Sequence, residues 1–124
     1  MFTVTFVLYE KDGLDRAEAL RYWRETHGPL VREVPGVQRY VQQHAVGAPD
    51  GVPPFLGVAS LSFADQDAFA AAAASPAFAD AVADVADFAD GQRLPTAFVE
   101  DVEDVEDVED VEDVEDVEDV VVVG

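Results

Sequence analysis

His27 is the residue in this 124-residue chain whose type and setting best suit proton transfer. An imidazole titrates nearer neutrality than any other unperturbed side chain, so it can give or take a proton without a strong push from its surroundings. Trp23 stands four residues earlier on the same stripe of a predicted helix, where its indole would wall a pocket beside the ring. At the C-terminal end of that helix the dipole would favour the charged imidazole. The same position has a structural reading, a histidine on the last carbonyls of a helix that Gly28 and Pro29 stop, and Trp23 reads equally well as core. Tyr40, Gln42 and His44 alternate onto one face of a predicted strand. Tyr40 is placed either to orient a carbonyl or phenol or to serve as an interface tyrosine. His44 lies about 13 Å further along at roughly 3.3 Å per residue, near the rim.

Other chemistries have little support. The chain has no Cys, which excludes a thiol nucleophile, a disulfide framework and thiolate metal ligation. Its two His are 17 residues apart, outside HxxxH or HExxH spacing, so no metal site is expected. No GxGxxG occurs, so a dinucleotide site has no motif behind it. The expectation is chemistry without metal or cofactor.

The elements that must position these residues follow from periodicity. Phe2, Val4, Phe6 and Leu8 alternate with Thr3, Thr5, Val7 and Tyr9, a period of two that predicts a first strand. Asp15 with Glu18 three residues on is a helix-capping start, and residues 15–26 form a predicted helix carrying Leu20, Trp23 and His27 on one stripe, with Arg16, Arg21, Arg24 and Glu25 mostly facing solvent. Gly28-Pro29 interrupts it before a short helical turn over 30–33. Strands are predicted over 37–46 and 55–63, with Gly57 marking a close approach or bulge. Asp65 caps an alanine-rich helix, Ser75-Pro76 restarts one with Phe78, Val82, Val85 and Phe88 in its stripe, and a last strand runs over 94–101.

Strand, helix, strand, strand, helix, strand is the split βαβ order: an α+β fold with a four-stranded antiparallel sheet and helices on one face. The uncovered face is expected to carry Val7, Tyr9, Tyr40, Leu56 and Val58, an apolar patch that marks a partner interface or a ligand surface. Two such sheets closing on each other would satisfy both, which predicts a C2 homodimer.

Charge divides the chain. It carries 27 Asp and Glu against 7 Lys and Arg, a formal net charge of −20, and 14 of the acids lie in residues 100–124, which hold no base. A domain over residues 1–101 and an acidic low-complexity tail over 102–124 are therefore separate in kind. The tail repeats Glu-Asp-Val seven times from Glu100 to Val120. A period of three gives no continuous apolar face on a strand or a helix, and two adjacent carboxylates per unit repel, so disorder is expected there. Negative charge on both parts disfavours nucleic acid and anionic membrane as partners, since both are bound through Lys and Arg. The apolar opening meets Glu10, Lys11 and Asp12 too early for a signal peptide or a spanning helix, and the reading is of a cytoplasmic protein. One Lys in an Asp-rich chain fits a halophilic composition.

The segment Tyr22-Trp23-Arg24-Glu25-Thr26-His27-Gly28-Pro29-Leu30-Val31, followed by Pro35-Gly36-Val37-Gln38-Arg39-Tyr40, resembles the EthD family. Phe55-Leu56-Gly57-Val58-Ala59 and Ser75-Pro76 sit where members place a Gly-containing strand and a helix break. The resemblance implies a ferredoxin-like domain that dimerises into an α+β barrel, with similar proteins that include lactone isomerases and polyketide-tailoring dehydratases or cyclases. It strengthens His27 as the proton carrier, with Trp23, Tyr40, Tyr9, Gln42, Leu56 and Val58 around a small apolar carbonyl or ring compound. Members often carry carboxylates at the positions of Leu56 and Ser60 and a Trp at Ser62, so the expected cavity keeps His27 without an acid to orient it. A ligand-binding or accessory dimer without turnover, and an oxidoreductase of the family's naming, stand as the alternatives.

Overall fold

The computed structural model describes residues 1–104, and the remainder of the acidic repeat lies outside the described residues. Strand β1 (Phe2–Leu8) leads through a turn to helix α1 (Arg16–Tyr22), a π-helical turn (Trp23–His27) and helix α2 (Gly28–Arg32). Strands β2 (Arg39–His44) and β3 (Gly57–Phe63) follow, then α3 (Gln66–Ala73), α4 (Pro76–Asp84) with a 3-10 turn (Val85–Asp87), and β4 (Thr96–Val99). The strands order as β2-β3-β1-β4, with each neighbouring pair antiparallel. Among the described residues no single helix is long and apolar enough to cross a membrane.

Local chemistry sets the helix starts. The Asp15 carboxylate accepts from the Glu18 backbone N–H, Asp65 from that of Ala68, and the Ser75 hydroxyl from that of Phe78 ahead of Pro76. The expected break at Gly28-Pro29 does not occur. Pro29 has no N–H for a preceding carbonyl, and the chain passes it by widening one turn: the Gly28 N–H reaches back to the Trp23 carbonyl, and the helical path continues from Arg16 to Arg32. His27 is therefore inside a helical run rather than at its C-terminal end. Arg16 also departs from expectation. It pairs with Glu10 and donates to the carbonyls of Ala45 (2.6 Å) and Phe55 (3.1 Å), tying both ends of the β2–β3 loop to α1.

The register decides the two faces. Tyr40 pairs with Leu61 and Gln42 with Ala59, so Tyr40, Gln42 and His44 share the helix-covered face with Val4, Phe6, Leu8, Ala59 and Leu61. Tyr40 does not lie on the open face as expected, and neither does Leu56, which is fully buried against Leu8, Trp23 and Phe88 where the chain bends into β3. What the open face carries at its centre is a ladder of hydroxyls, Thr3 with Ser62 (2.8 Å) and Thr5 with Ser60 (3.0 Å), flanked by Val7, Val41 and Val58. It is more polar than the apolar patch expected there. The α4 stripe differs too: Ala81, Val85 and Phe88 are buried, whereas Val82 is 41% exposed.

Candidate functional site

Between the sheet and the helices the core does not close completely. A cavity of about 40 Å³ remains, lined by Phe6, Leu8 and Leu61 from the sheet, Trp23 and His27 from the π-turn, and Tyr40 from β2. That is room for one or two waters; its apolar walls with few polar groups have the character of a small-ligand site, and a larger molecule enters only if the lining side chains move apart.

The π-turn places Trp23 and His27 on the wall of this space. Trp23 is fully buried and lies between His44 (ring centroids 4.6 Å apart, 19° between planes) and Phe88 (5.9 Å, 27°). Gly57 is what lets β3 pass beneath it, because a Cβ there would stand 2.6 and 2.8 Å from indole carbons. The close approach read from the sequence at Gly57 is thus a contact with Trp23. Trp23 Nε1 is the one buried side-chain polar atom among the described residues with no hydrogen-bond partner.

His27 is 6% exposed, and its Nδ1 lies 2.9 Å from Asp84 Oδ2. An ionised carboxylate only accepts, so the neutral imidazole carries its proton on Nδ1 and keeps its lone pair on Nε2. Among the described residues that nitrogen has no partner, and it retains accessible surface. Asp84 is steadied from the other side by the Tyr22 hydroxyl, which donates to Oδ1 at 2.8 Å and, more weakly, to Asp87 at 3.3 Å. The hydrogen bond to Asp84 is the leading reason that the Tyr22 phenol is pushed up to about 12, so it stays a donor at any working pH.

Burial holds the His27 pKa below its ordinary value of 6.5, and the Asp84 contact opposes without reversing this. The folded chain therefore takes up this proton at lower pH than the unfolded chain does. As pH falls through 6.5 the unfolded state protonates first, so stability present above 6.5 is lost until the depressed folded value is reached. An NMR titration of the His27 ring should give a midpoint below 6.5, and His27→Asn should remove its share of that acid-side loss. A midpoint above 6.5 would mean that the Asp84 contact outweighs burial.

A second network lies behind Trp23. The Trp23 carbonyl, which can only accept, takes a hydrogen bond from Gln42 Nε2 (3.0 Å), and this fixes which way the amide faces. Gln42 Nε2 also donates to the Tyr40 oxygen (2.7 Å), and its Oε1 accepts from His44 Nε2 (2.7 Å). With its oxygen already accepting, the Tyr40 hydroxyl keeps its own proton for a further acceptor. Burial raises the Tyr40 pKa, against the Gln42 contact and the nearby Trp23 indole, so the phenol remains a donor. The indole N–H is close to that oxygen but outside hydrogen-bonding geometry.

Of the residues singled out in the sequence, the fold gathers Trp23, His27 and Tyr40 on one cavity and places Gln42 behind them. It separates the others: Tyr9 packs edge-on to Phe55 under Arg93, Leu56 is core, and Val58 is on the open face. The carboxylate missed by sequence reasoning is Asp84. Residues 80, 84, 87 and 90 are all Asp, and nothing in composition marks one. A usable signal was its place, since Asp84 completes the i, i+3, i+4, i+7 stripe of Ala81, Val85 and Phe88, where a charge must find a buried partner. The expected absence of an acid beside His27 is thereby corrected: α4 supplies one where β3 does not. Among the described residues no cluster of three or more His, Asp or Glu could hold a metal ion.

The EthD domain model matches residues 11–92. The chain belongs to the EthD family. Comparison with curated proteins returns no match. Among solved structures it is similar to an EthD family protein of Bacillus halodurans C-125, at 24% identity and TM-score 0.69 over 82% of this chain and 100% of that one. A dimeric ferredoxin-like protein of unknown function from Jannaschia sp. CCS1 matches at 14% and 0.59, covering 82% and 100%. A Nitrosomonas europaea protein provisionally described as an antibiotic biosynthesis monooxygenase matches at 14% and 0.57, covering 83% and 100%. At these identities the EthD chain shares their fold, a ferredoxin-like α+β domain.

Proposed function

We propose that this EthD protein binds a small apolar carbonyl compound in the cavity and moves a proton at the carbon next to the carbonyl, as an isomerase, dehydratase or cyclase does. The observation that carries the reading is the His27–Asp84 pair at 2.9 Å with Nε2 accessible and unpartnered among the described residues. A neutral, carboxylate-oriented imidazole in an apolar wall is a general base near neutral pH. Removing a proton beside a carbonyl places negative charge on the oxygen, and that charge needs donors held ready for it. Trp23 Nε1–H and the Tyr40 O–H are two such donors without acceptors among the described residues. The proton taken by His27 Nε2 returns to carbon or goes to a leaving hydroxyl, so the cycle balances with no other reactant. Deuterium exchange at the α-carbons of cyclopentanone in heavy water, followed by NMR, tests this: the protein should accelerate exchange, and no acceleration would leave a binding module.

Two structural relatives, from Jannaschia sp. CCS1 and Thermobifida fusca YX, are described as dimeric ferredoxin-like proteins, which supports a homodimer through the open sheet face. Light scattering in molar salt should give twice the 13.4 kDa chain mass, and a monomer at micromolar concentration would remove the barrel.

A further inference from the structure

A second concavity opens beside the first, and its chemistry is opposite. An open cleft of about 490 Å³ is lined by Arg24, Arg32, Tyr40, Gln42 and His44. Tyr40 lines both spaces, so the cleft is the outer neighbour of the apolar cavity. In a chain of −20 formal charge, two of its few cations converge here. Arg24 has only an exposed contact to the adjacent Glu25 (3.3 Å), which is worth little in water. Arg32 has no carboxylate partner among the described residues.

Gly28 packs against two of the residues that line the cleft. A methyl group at Gly28 would stand 3.3 Å from Gln42 Nε2 and 3.6 Å from Arg32 Nη2, so the glycine lets β2 and α2 approach with the guanidinium alongside. His44 is engaged as a neutral donor to Gln42, and both burial and the charges of Arg24 and Arg16 disfavour its protonation. The groups that remain for a ligand are the two guanidinium ions.

We infer that the cleft binds a carboxylate, and that the protein's ligand is a small keto acid whose carbonyl enters the apolar cavity while its anionic end rests on Arg24 and Arg32. This rests on the carbonyl reading given above and names the class of substrate for the same site. Guanidinium groups recognise carboxylates through paired N–H donors, and a cationic mouth draws an anion against the overall negative charge of the chain. Tyr40, between the two spaces, meets the middle of the ligand.

Levulinate and its methyl ester separate the two parts of the inference, since they share the ketone and differ in charge. Trp23 is the sole tryptophan and stacks on His44, so its fluorescence reports occupancy in the full-length protein. Levulinate should bind about tenfold or more tighter than the ester, a difference that molar salt or Arg32→Gln removes without changing ester affinity. Equal binding of acid and ester overturns the anion site and leaves the carbonyl cavity standing. Quenching by neither removes both. If the acid outcompetes the ester only after residues 105–124 are deleted, the chain's own acidic repeat fills the cleft and the keto-acid assignment fails.

Discussion

His27→Ala lowers the rate of α-proton exchange by about 10² to 10⁴, the range that one positioned acid or base contributes, while the fold and the oligomer stay intact. The imidazole is buried at the cavity wall, so its loss leaves a small void. His27→Gln, closer in volume, keeps the packing and distinguishes a missing base from a disturbed core. Asp84→Asn should fall between these variants and the parent protein, because the amide can still meet Nδ1 but no longer supports the imidazolium formed in the reaction. The pH profile gives an independent reading. A base whose pKa is held below 6.5 by burial keeps activity flat above neutrality and loses it on the acid side, so an alkaline loss in place of an acid one would point to a different group. If His27→Ala exchanges as fast as the parent protein, the pair with Asp84 is structural and the cavity binds without chemistry.

Gly57→Ala should be the most destabilising small substitution in the domain, costing about 3 kcal/mol. The added methyl would overlap the Gln43 carbonyl oxygen and stand 2.6 Å from Trp23 Cζ3. Neither neighbour can yield: the carbonyl belongs to the β2 ladder, and the indole is held between His44 and Phe88. Gly47→Ala is the control, since a Cβ there meets nothing within 4 Å, and its effect should be within about 0.5 kcal/mol. Urea unfolding followed by Trp23 fluorescence measures both. A Gly57→Ala loss below about 1 kcal/mol would mean that β3 slides away from the indole at little cost.

Much of the architecture was legible because it rests on local physics. Alternation in β1, the Asp15, Asp65 and Ser75 caps, and the order of elements each follow from a few adjacent residues, and together they specify a four-stranded antiparallel sheet under helices. His27, Trp23 and Tyr40 were legible for a related reason: an imidazole, an indole and a phenol are scarce in this chain, and period alone puts the first two on one stripe and the third on a strand. What tertiary structure alone decided is which face β2 turns to the helices. A strand's alternation defines two faces but not which one is covered, and for β2 the pairing of Tyr40 with Leu61 settled it, carrying Tyr40, Gln42 and His44 inward. The choice of Asp84 among four similar acids depended on α4 crossing the π-turn at that residue, a contact between positions 57 apart in sequence. The sign of the His27 shift depended on the ring being buried in the fold, which the sequence does not show. A helix end would have favoured the charged ring, whereas burial favours the neutral one.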